Sequence, residues 1–244
     1  MSLVSIIIPY FKKKNYFKLT INSILKQKYQ NFEILIVYDD EDKSDLGFIY
    51  NLKKLDKRIK IIINNKNIGA GLSRNKAIKY SRGKFIAFID SDDLWHPMKL
   101  KKQISFMVKN KINISHTSYS IINEKNEKLS SRKAKDLTFN DLVKSCDIGL
   151  STVVIRKKIL KKYFFVKLKT KEDYVLWLKL TQKGYKFYAV KETLVFWRST
   201  PGSLSSSIFQ KLLDGYRVYR IYLKQSIFMS LINLMLLSLN YLKK

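Results

Sequence analysis

The stretch Phe85-Ile86-Ala87-Phe88-Ile89-Asp90-Ser91-Asp92-Asp93 decides the fold. Five apolar residues run without a break into three carboxylates within four positions. A continuous apolar run of this length, rich in β-branched and aromatic side chains, predicts a strand buried on both faces. Such strands belong to parallel sheets. Ligands of open α/β sheets bind just beyond the carboxyl ends of the strands, where Asp90, Asp92 and Asp93 stand. Like charges this close repel, so a positive group is expected among them, and a divalent cation with hard oxygen ligands is the economical one. Asp-Ser-Asp-Asp also suits a turn or a helix cap, and these four residues alone leave that alternative open.

Upstream, strands and helices alternate. Val4-Ser5-Ile6-Ile7-Ile8 predicts a strand stopped by Pro9, and Phe17, Ile21, Ile24 and Leu25 form one stripe of a helix over 15–28. Phe32 to Val37 predicts a second strand with Asp39 and Asp40 at its end. A helix over 44–55, a strand over 59–63 and a helix over 72–80 follow. This is the βαβ pattern of a parallel, doubly wound sheet. The carboxyl ends of its strands share one edge, so Asp39, Asp40, Asp90, Asp92 and Asp93 should converge on one crevice. Gly69-Ala70-Gly71 hints at a phosphate loop, but Arg74 stands where a third glycine is needed, and a Walker-type loop is absent.

Downstream the pattern is less regular. Ile112 to Ile122 predicts a strand, 123–135 a hairpin and exposed loop, 138–145 a short helix and 151–156 a strand. Thr170 to Leu180 predicts a buried helix, with Thr170-Lys171-Glu172-Asp173 reading as its capping box and Asp173 at N3. Short strands are expected at 187–189 and 193–197. Helical segments follow at 205–223 and in the strongly apolar 227–239.

Composition bounds the function. The 244 residues carry 48 Lys+Arg against 19 Asp+Glu, a net charge of +29, which implies a polyanionic neighbour: nucleic acid, an anionic membrane face or phosphorylated substrates. The single Cys146 excludes an internal disulfide, and Leu3 to Ile8 is too short for a signal peptide, so a cytoplasmic location is expected. The apolar segment 227–239 is short for a membrane span and is interrupted by Ser and Asn. An interfacial helix on the inner face of the cytoplasmic membrane suits it, with packing on the domain or in a homodimer seam as the alternative. His96 and His116 have no visible partners.

Four separated segments, in order, resemble the family 2 inverting glycosyltransferases of GT-A fold, the type that builds bacterial surface glycans. They are Val4 to Pro9 with Tyr10-Phe11; Ser23-Ile24-Leu25 and Gln27 with Phe32 to Asp40; Gly71-Leu72-Ser73-Arg74-Asn75 with Phe85 to Asp93; and Glu172-Asp173 with Trp177, then Trp197-Arg198 to Ser203. The resemblance implies a Rossmann-like, mostly parallel sheet with helices on both faces and a C-terminal helical tail. Residues 1–110 would bind the nucleotide sugar, 111–205 the acceptor, and 206–244 would form the tail. It implies transfer of a sugar from a UDP-sugar to a glycan or lipid-linked glycan, in lipopolysaccharide, lipooligosaccharide or capsule synthesis. Pro9 and Tyr10 would form the nucleotide-binding turn. Asp39 or Asp40, Asp39 being preferred, would face the base, and Asp90 the ribose. Asp92 would hold Mn²⁺ or Mg²⁺, and Arg74 and Arg198 would contact the diphosphate, Arg198 from a closing lid. Asp173 would be the base, with Glu172 supporting it and Trp177 against a sugar. Two alternatives stand beside this. A basic nucleic-acid-binding protein would explain the charge but not the carboxylates, and a metal-dependent nucleotidyltransferase would use a similar metal site.

Overall fold

The computed structural model describes residues 1–200 and 207–242. Its first half follows the alternation: β1 (Val4–Tyr10), α1 (Lys14–Leu25), β2 (Phe32–Tyr38), α2 (Leu46–Lys53), β3 (Ile59–Ile63), α3 (Ala70–Tyr80) and β4 (Phe85–Phe88). Then come β5 (Leu94–Trp95), α4 (Lys99–Lys109), β6 (Ile114–Ile122), β7 (Lys128–Arg132), α5 (Phe139–Leu142), β8 (Val154–Arg156), α6 (Glu172–Gln182) and β9 (Tyr188–Arg198). The tail is α7 (Ile208–Arg217), a π-helical turn at Val218–Tyr222, and α8 (Ile227–Leu242). Among the described residues the strands form one sheet in the order β3-β2-β1-β4-β8-β6-β9-β5, with β7 on β6.

β3, β2, β1 and β4 are parallel neighbours, as their apolar runs require. Every residue of β1 and β2 is buried. Alternate side chains enter two cores. Ile7, Leu35, Val37, Ile86 and Phe88 join α3 and α6 on one face. Ile6, Ile8, Ile34, Ile36 and Phe85 meet α1, α2 and α4 on the other. The second half is mixed: β8 is antiparallel to β4 and β6, whereas β6 and β9 are parallel.

Three differences from the sequence expectation have local causes. β1 continues through Pro9 to Tyr10. Ile7 accepts from the Ile89 N–H, so alternate residues of β1, Pro9 included, turn towards β4; that strand has ended by then, and the missing proline N–H is not needed. The short strands expected at 187–189 and 193–197 are one strand, β9, whose pairing with β6 shifts register around Ser118. The two-residue β5 is too short to leave a periodic signal and exists through its pairing with Val195 and Phe196.

β1 and β4 are held together at their starts by a close approach of backbones. Gly83 donates to Ser5 Oγ at 2.8 Å. A Cβ on Gly83 would lie 2.5 Å from the Ser5 nitrogen. Gly83→Ala should therefore lower unfolding stability by about 1–3 kcal/mol through overpacking, measured by urea denaturation.

Candidate active site

The parallel strands deliver Tyr10, Asp39 and Asp90 to one edge of the sheet, and α6 brings Glu172 and Asp173 to it from the other half of the chain. Arg74, on the first turns of α3, joins the two. Its guanidinium donates to Asp90 Oδ1 at 2.7 Å and to Glu172 Oε1 at 2.6 Å, and its side chain is 4% exposed. Burial opposes its charge, but Asp90 and Glu172 outweigh that and hold it protonated. The Gly-x-Gly sequence explains the closeness. Gly69 has φ +87°, and a Cβ on Gly71 would lie 2.8 Å from the Val166 carbonyl and 2.9 Å from Glu172 Cγ. Gly71 lets α3 and α6 meet there.

The three carboxylates of the opening stretch do not share one cation. Each has its own partner. Asp90 is on Arg74. Asp92 Oδ2 pairs with Lys13 Nζ at 2.9 Å, and Lys13 also donates to Thr200 Oγ1. Asp93 is fully buried; it accepts from Ser151 Oγ at 2.5 Å and from the Arg198 N–H at 2.8 Å. Ser151 Oγ in turn accepts from the Asp90 N–H. Asp93 is thus neither a helix cap nor part of the crevice: it ties the end of β4 to the 150–152 turn and to the end of β9. Burial, then the charges of Asp92 and Asp90, hold its carboxyl well above the usual range. Burial also raises Asp92, against the pull of Lys13.

Asp39 and Asp40 differ in duty. Asp39 accepts from Asn64 Nδ2 and from the Ile68 and Gly69 N–H groups, all within 2.9 Å, which ties β2 to the loop that starts α3. Asp40 is equally buried, but its Oδ2 has no partner. Lys12, at φ +47°, approaches Asp40 to 4.0 Å. The run Lys12-Lys13-Lys14 therefore sets three cations against three carboxylates, Asp40, Asp92 and Asp45.

Asp173 is partly exposed at the start of α6, and its Oδ1 accepts from the Tyr174 N–H at 2.7 Å. Burial first, and the Glu172 charge second, raise its carboxyl to about 7, with Arg74 opposing. A carboxylate that exchanges its proton near neutrality suits general-base work.

Several expectations are corrected. Trp177 is fully buried, with Phe187 at 5.2 Å and Phe165 at 6.1 Å between ring centres, so it has no face to offer a sugar. Tyr10 is also fully buried, stacked on Tyr38 and bonded to Asp45, and Pro9 is buried beside it; at this turn the exposed ring is Phe11. Arg198 cannot swing as a lid. Its Nε and both terminal nitrogens bond the Asp92 carbonyl, the Asn123 and Glu124 carbonyls and Asn126 Oδ1. The remainder of the proposed lid, with Gly202 and Ser203, lies outside the described residues. The capping box at Thr170 is absent: Lys171 occupies the N-cap at φ +63°, and the Thr170 hydroxyl bonds elsewhere. Arg74 is a buried bridge rather than a free diphosphate contact.

Lys13, Thr200, Asn64 and Ser151 entered the site without being foreseen. The lysine run at the end of β1 was the one available signal, because its position puts it at the carboxyl edge. Nothing in the sequence links Ser151 to Asp93.

No group of three or more potential ligands stands together among the described residues. Mg²⁺ and Mn²⁺ need only one or two carboxylates, with phosphate oxygens and water filling the other positions. Asp92 and the one-third exposed Asp90 are hard oxygen donors of that kind at the mouth of the crevice. The residues fit such an ion.

Arg74 binds two acidic partners, so removing it strands both. Arg74→Met should cost about 3 kcal/mol, the lower end for breaking a buried pair because Asp90 is partly solvated. Chemical denaturation checks it.

The sequence profile of glycosyl transferase family 2 matches residues 5–164. The chain is 39% identical over 212 residues to the UDP-Glc:alpha-D-GlcNAc-diphosphoundecaprenol beta-1,3-glucosyltransferase WfgD of Escherichia coli, covering 86% of this chain and 82% of that one. It is 37% identical over 222 residues to WfaP of the same organism and the same described activity, covering 90% and 86%. Its fold matches that of S. aureus TarS in complex with UDP-GlcNAc, with a TM-score of 0.74 at 21% identity over 96% of this chain and 70% of that one. Family membership sets aside the nucleic-acid-binding and nucleotidyltransferase alternatives. The chain belongs to glycosyl transferase family 2 and is a glycosyltransferase with the GT-A fold.

Proposed function

We propose that the protein transfers a sugar from a UDP-sugar, with inversion, to a lipid-linked glycan acceptor in bacterial surface-polysaccharide synthesis. The relatives that act on a diphosphoundecaprenol-linked GlcNAc support this choice of donor and acceptor class. The observation that carries the reading is Arg74, whose two ends hold the donor-side Asp90 and Glu172, the neighbour of Asp173. The putting of base and donor at a fixed separation is what in-line displacement at the anomeric carbon requires.

Asp173 takes the proton of the acceptor hydroxyl as the oxygen attacks, and Glu172 and Arg74 fix its position and charge. Asp90 faces the ribose. Asp39 or Asp40 accepts from the uracil N–H; the unpartnered Oδ2 of Asp40 and the remaining lone pair of Asp39 Oδ2 both have the capacity. UDP leaves with its diphosphate beside Lys13, whose ammonium is already seated on Asp92. Mn²⁺ or Mg²⁺ held by Asp92, with Asp90, would act as a Lewis acid on that diphosphate.

The tail supports a peripheral position on the membrane. In α8 the polar Ser230 and Asn233 face inward with Leu237. Ile227, Phe228, Leu231, Met235 and Leu239 face out, Phe228 being 72% exposed. This inverts the pattern of a helix packed on a globular core. No described helix is long and apolar enough to cross a bilayer. An apolar helix face on a chain of net charge +29 suits the boundary of an anionic membrane.

A panel of UDP-sugars with Mn²⁺ or Mg²⁺, read by UDP release, tests the activity. Asp173→Asn should lower transfer by about 10²–10⁴-fold while leaving UDP binding intact. A wild-type rate in that variant refutes the base assignment. Because the Asp173 carboxyl titrates near 7, wild-type kcat/KM should rise with pH and level off above about 7, and this limb should vanish in the variant. Phe228→Asp with Leu231→Asp should abolish co-sedimentation with phosphatidylglycerol vesicles. Wild-type protein that ignores vesicles and dimerises in light scattering would make this face a homodimer seam instead.

A further inference from the structure

The tail reaches the start of α6 through a buried side chain that has no part in the proposed reaction. Asp214, on α7, is fully buried. Its Oδ2 accepts from the Thr170 N–H at 3.0 Å, the Thr170 hydroxyl at 3.0 Å and Gln210 Nε2 at 2.9 Å. Its Oδ1 accepts from Arg217 at 3.2 Å. Thr170 is three residues before Asp173, and Lys171 between them is in the left-handed region at φ +63°. A lysine held there costs free energy and persists only where the surroundings over-determine it. The surroundings are the tail. A Cβ on Gly215 would lie 3.5 Å from Lys171 Cε and 2.8 Å from Leu234 Cδ1, so α7, α8 and Lys171 are packed as closely as a glycine allows. One turn further on, the Tyr219 hydroxyl meets that of Tyr174 at 3.0 Å and donates to the Val143 carbonyl at 2.8 Å.

The start of α6 lacks a side-chain cap of its own, because the hydroxyl that would supply it points to Asp214. The direction in which Glu172 and Asp173 leave the backbone is therefore set from outside the helix. We propose that Asp214 is a positioning residue for the catalytic base: through Thr170 it latches the tail to the start of α6, and so holds Glu172 on Arg74 and Asp173 next to it. The tail is then part of the acceptor half, and it links the helix with the exposed apolar face to the base. The role rests on Asp173 acting as the base.

The test compares Asp214→Ala, Thr170→Val and Thr170→Ser with wild type. Transfer is read as UDP release on the pair for which wild type is active, UDP-glucose with α-GlcNAc-diphosphoundecaprenol being tried first, and UDP binding is read by calorimetry. Asp214→Ala and Thr170→Val should lose about 10- to 100-fold in kcat, the scale of a misplaced catalytic group, with donor KM and UDP affinity held within about twofold. Thr170→Ser, which keeps the hydroxyl, should restore most of the rate. Unchanged kcat in both damaging variants overturns the latch, and so does a parallel loss of UDP affinity and kcat, which would mark a merely structural contact. Should Asp214→Ala fail to fold, Thr170→Val decides by the same criteria. Asp173→Asn keeps the two ideas apart. If it is inactive while Asp214→Ala is normal, only the latch fails; if it is fully active, the base assignment fails whatever Asp214 does.

Discussion

The buried Arg74 guanidinium, shared between Asp90 and Glu172, is the interaction on which the crevice depends. Two carboxylates brought to one edge from opposite halves of the chain would repel. A single desolvated cation between them turns that repulsion into a tie. The geometry of the tie is fixed by packing on every side: Gly71 allows α3 to approach α6, and Asp39 grips the Ile68 and Gly69 N–H groups that begin α3. A carboxylate raised towards neutrality is then a by-product of the arrangement, since Asp173 is desolvated first of all and has Glu172 beside it, with Arg74 opposing.

The same principle recurs along the edge. In a chain with 48 basic residues, most acidic groups of the crevice are held by specific partners. Lys13 is on Asp92, Ser151 and the Arg198 N–H are on Asp93, and the loop amides are on Asp39. Lys13 and Arg74 neutralise carboxylates of the crevice, which gives a basic composition a local use. Arg198 shows the opposite case: its donors are consumed by carbonyls and an amide, and its work is to join the Asp92–Asp93 turn to the β6–β7 hairpin.

The tail packs on the domain, the alternative open to it from sequence, and also leaves an apolar face exposed. α8 turns Ser230, Asn233 and Leu237 inward and leaves Phe228, Leu231, Met235 and Leu239 exposed, while α7 and the π-helical turn send Asp214 and Tyr219 into the structure beside α6. The tail thus joins an exposed apolar helix face to Thr170, just before α6, in one packed body.

Local sequence determined a good part of this protein. Parallel strands announce themselves as apolar runs, and this gave β1, β2, β3 and β4 with ends within two residues, hence the edge where Asp39, Asp90 and Asp92 stand. The order of the motifs was enough to identify the fold and the type of transfer. What sequence could not decide was which polar side chain faces which. Whether Trp177 stacks on a sugar or fills a core, whether Arg198 closes or braces, and whether Thr170 caps its own helix or bonds Asp214 all depend on residues tens of positions away. Hydrophobic periodicity is a property of neighbours in the chain and survives in one dimension. The pairing of buried charges and hydroxyls is set by desolvation and distance, which exist only once the tertiary structure has formed.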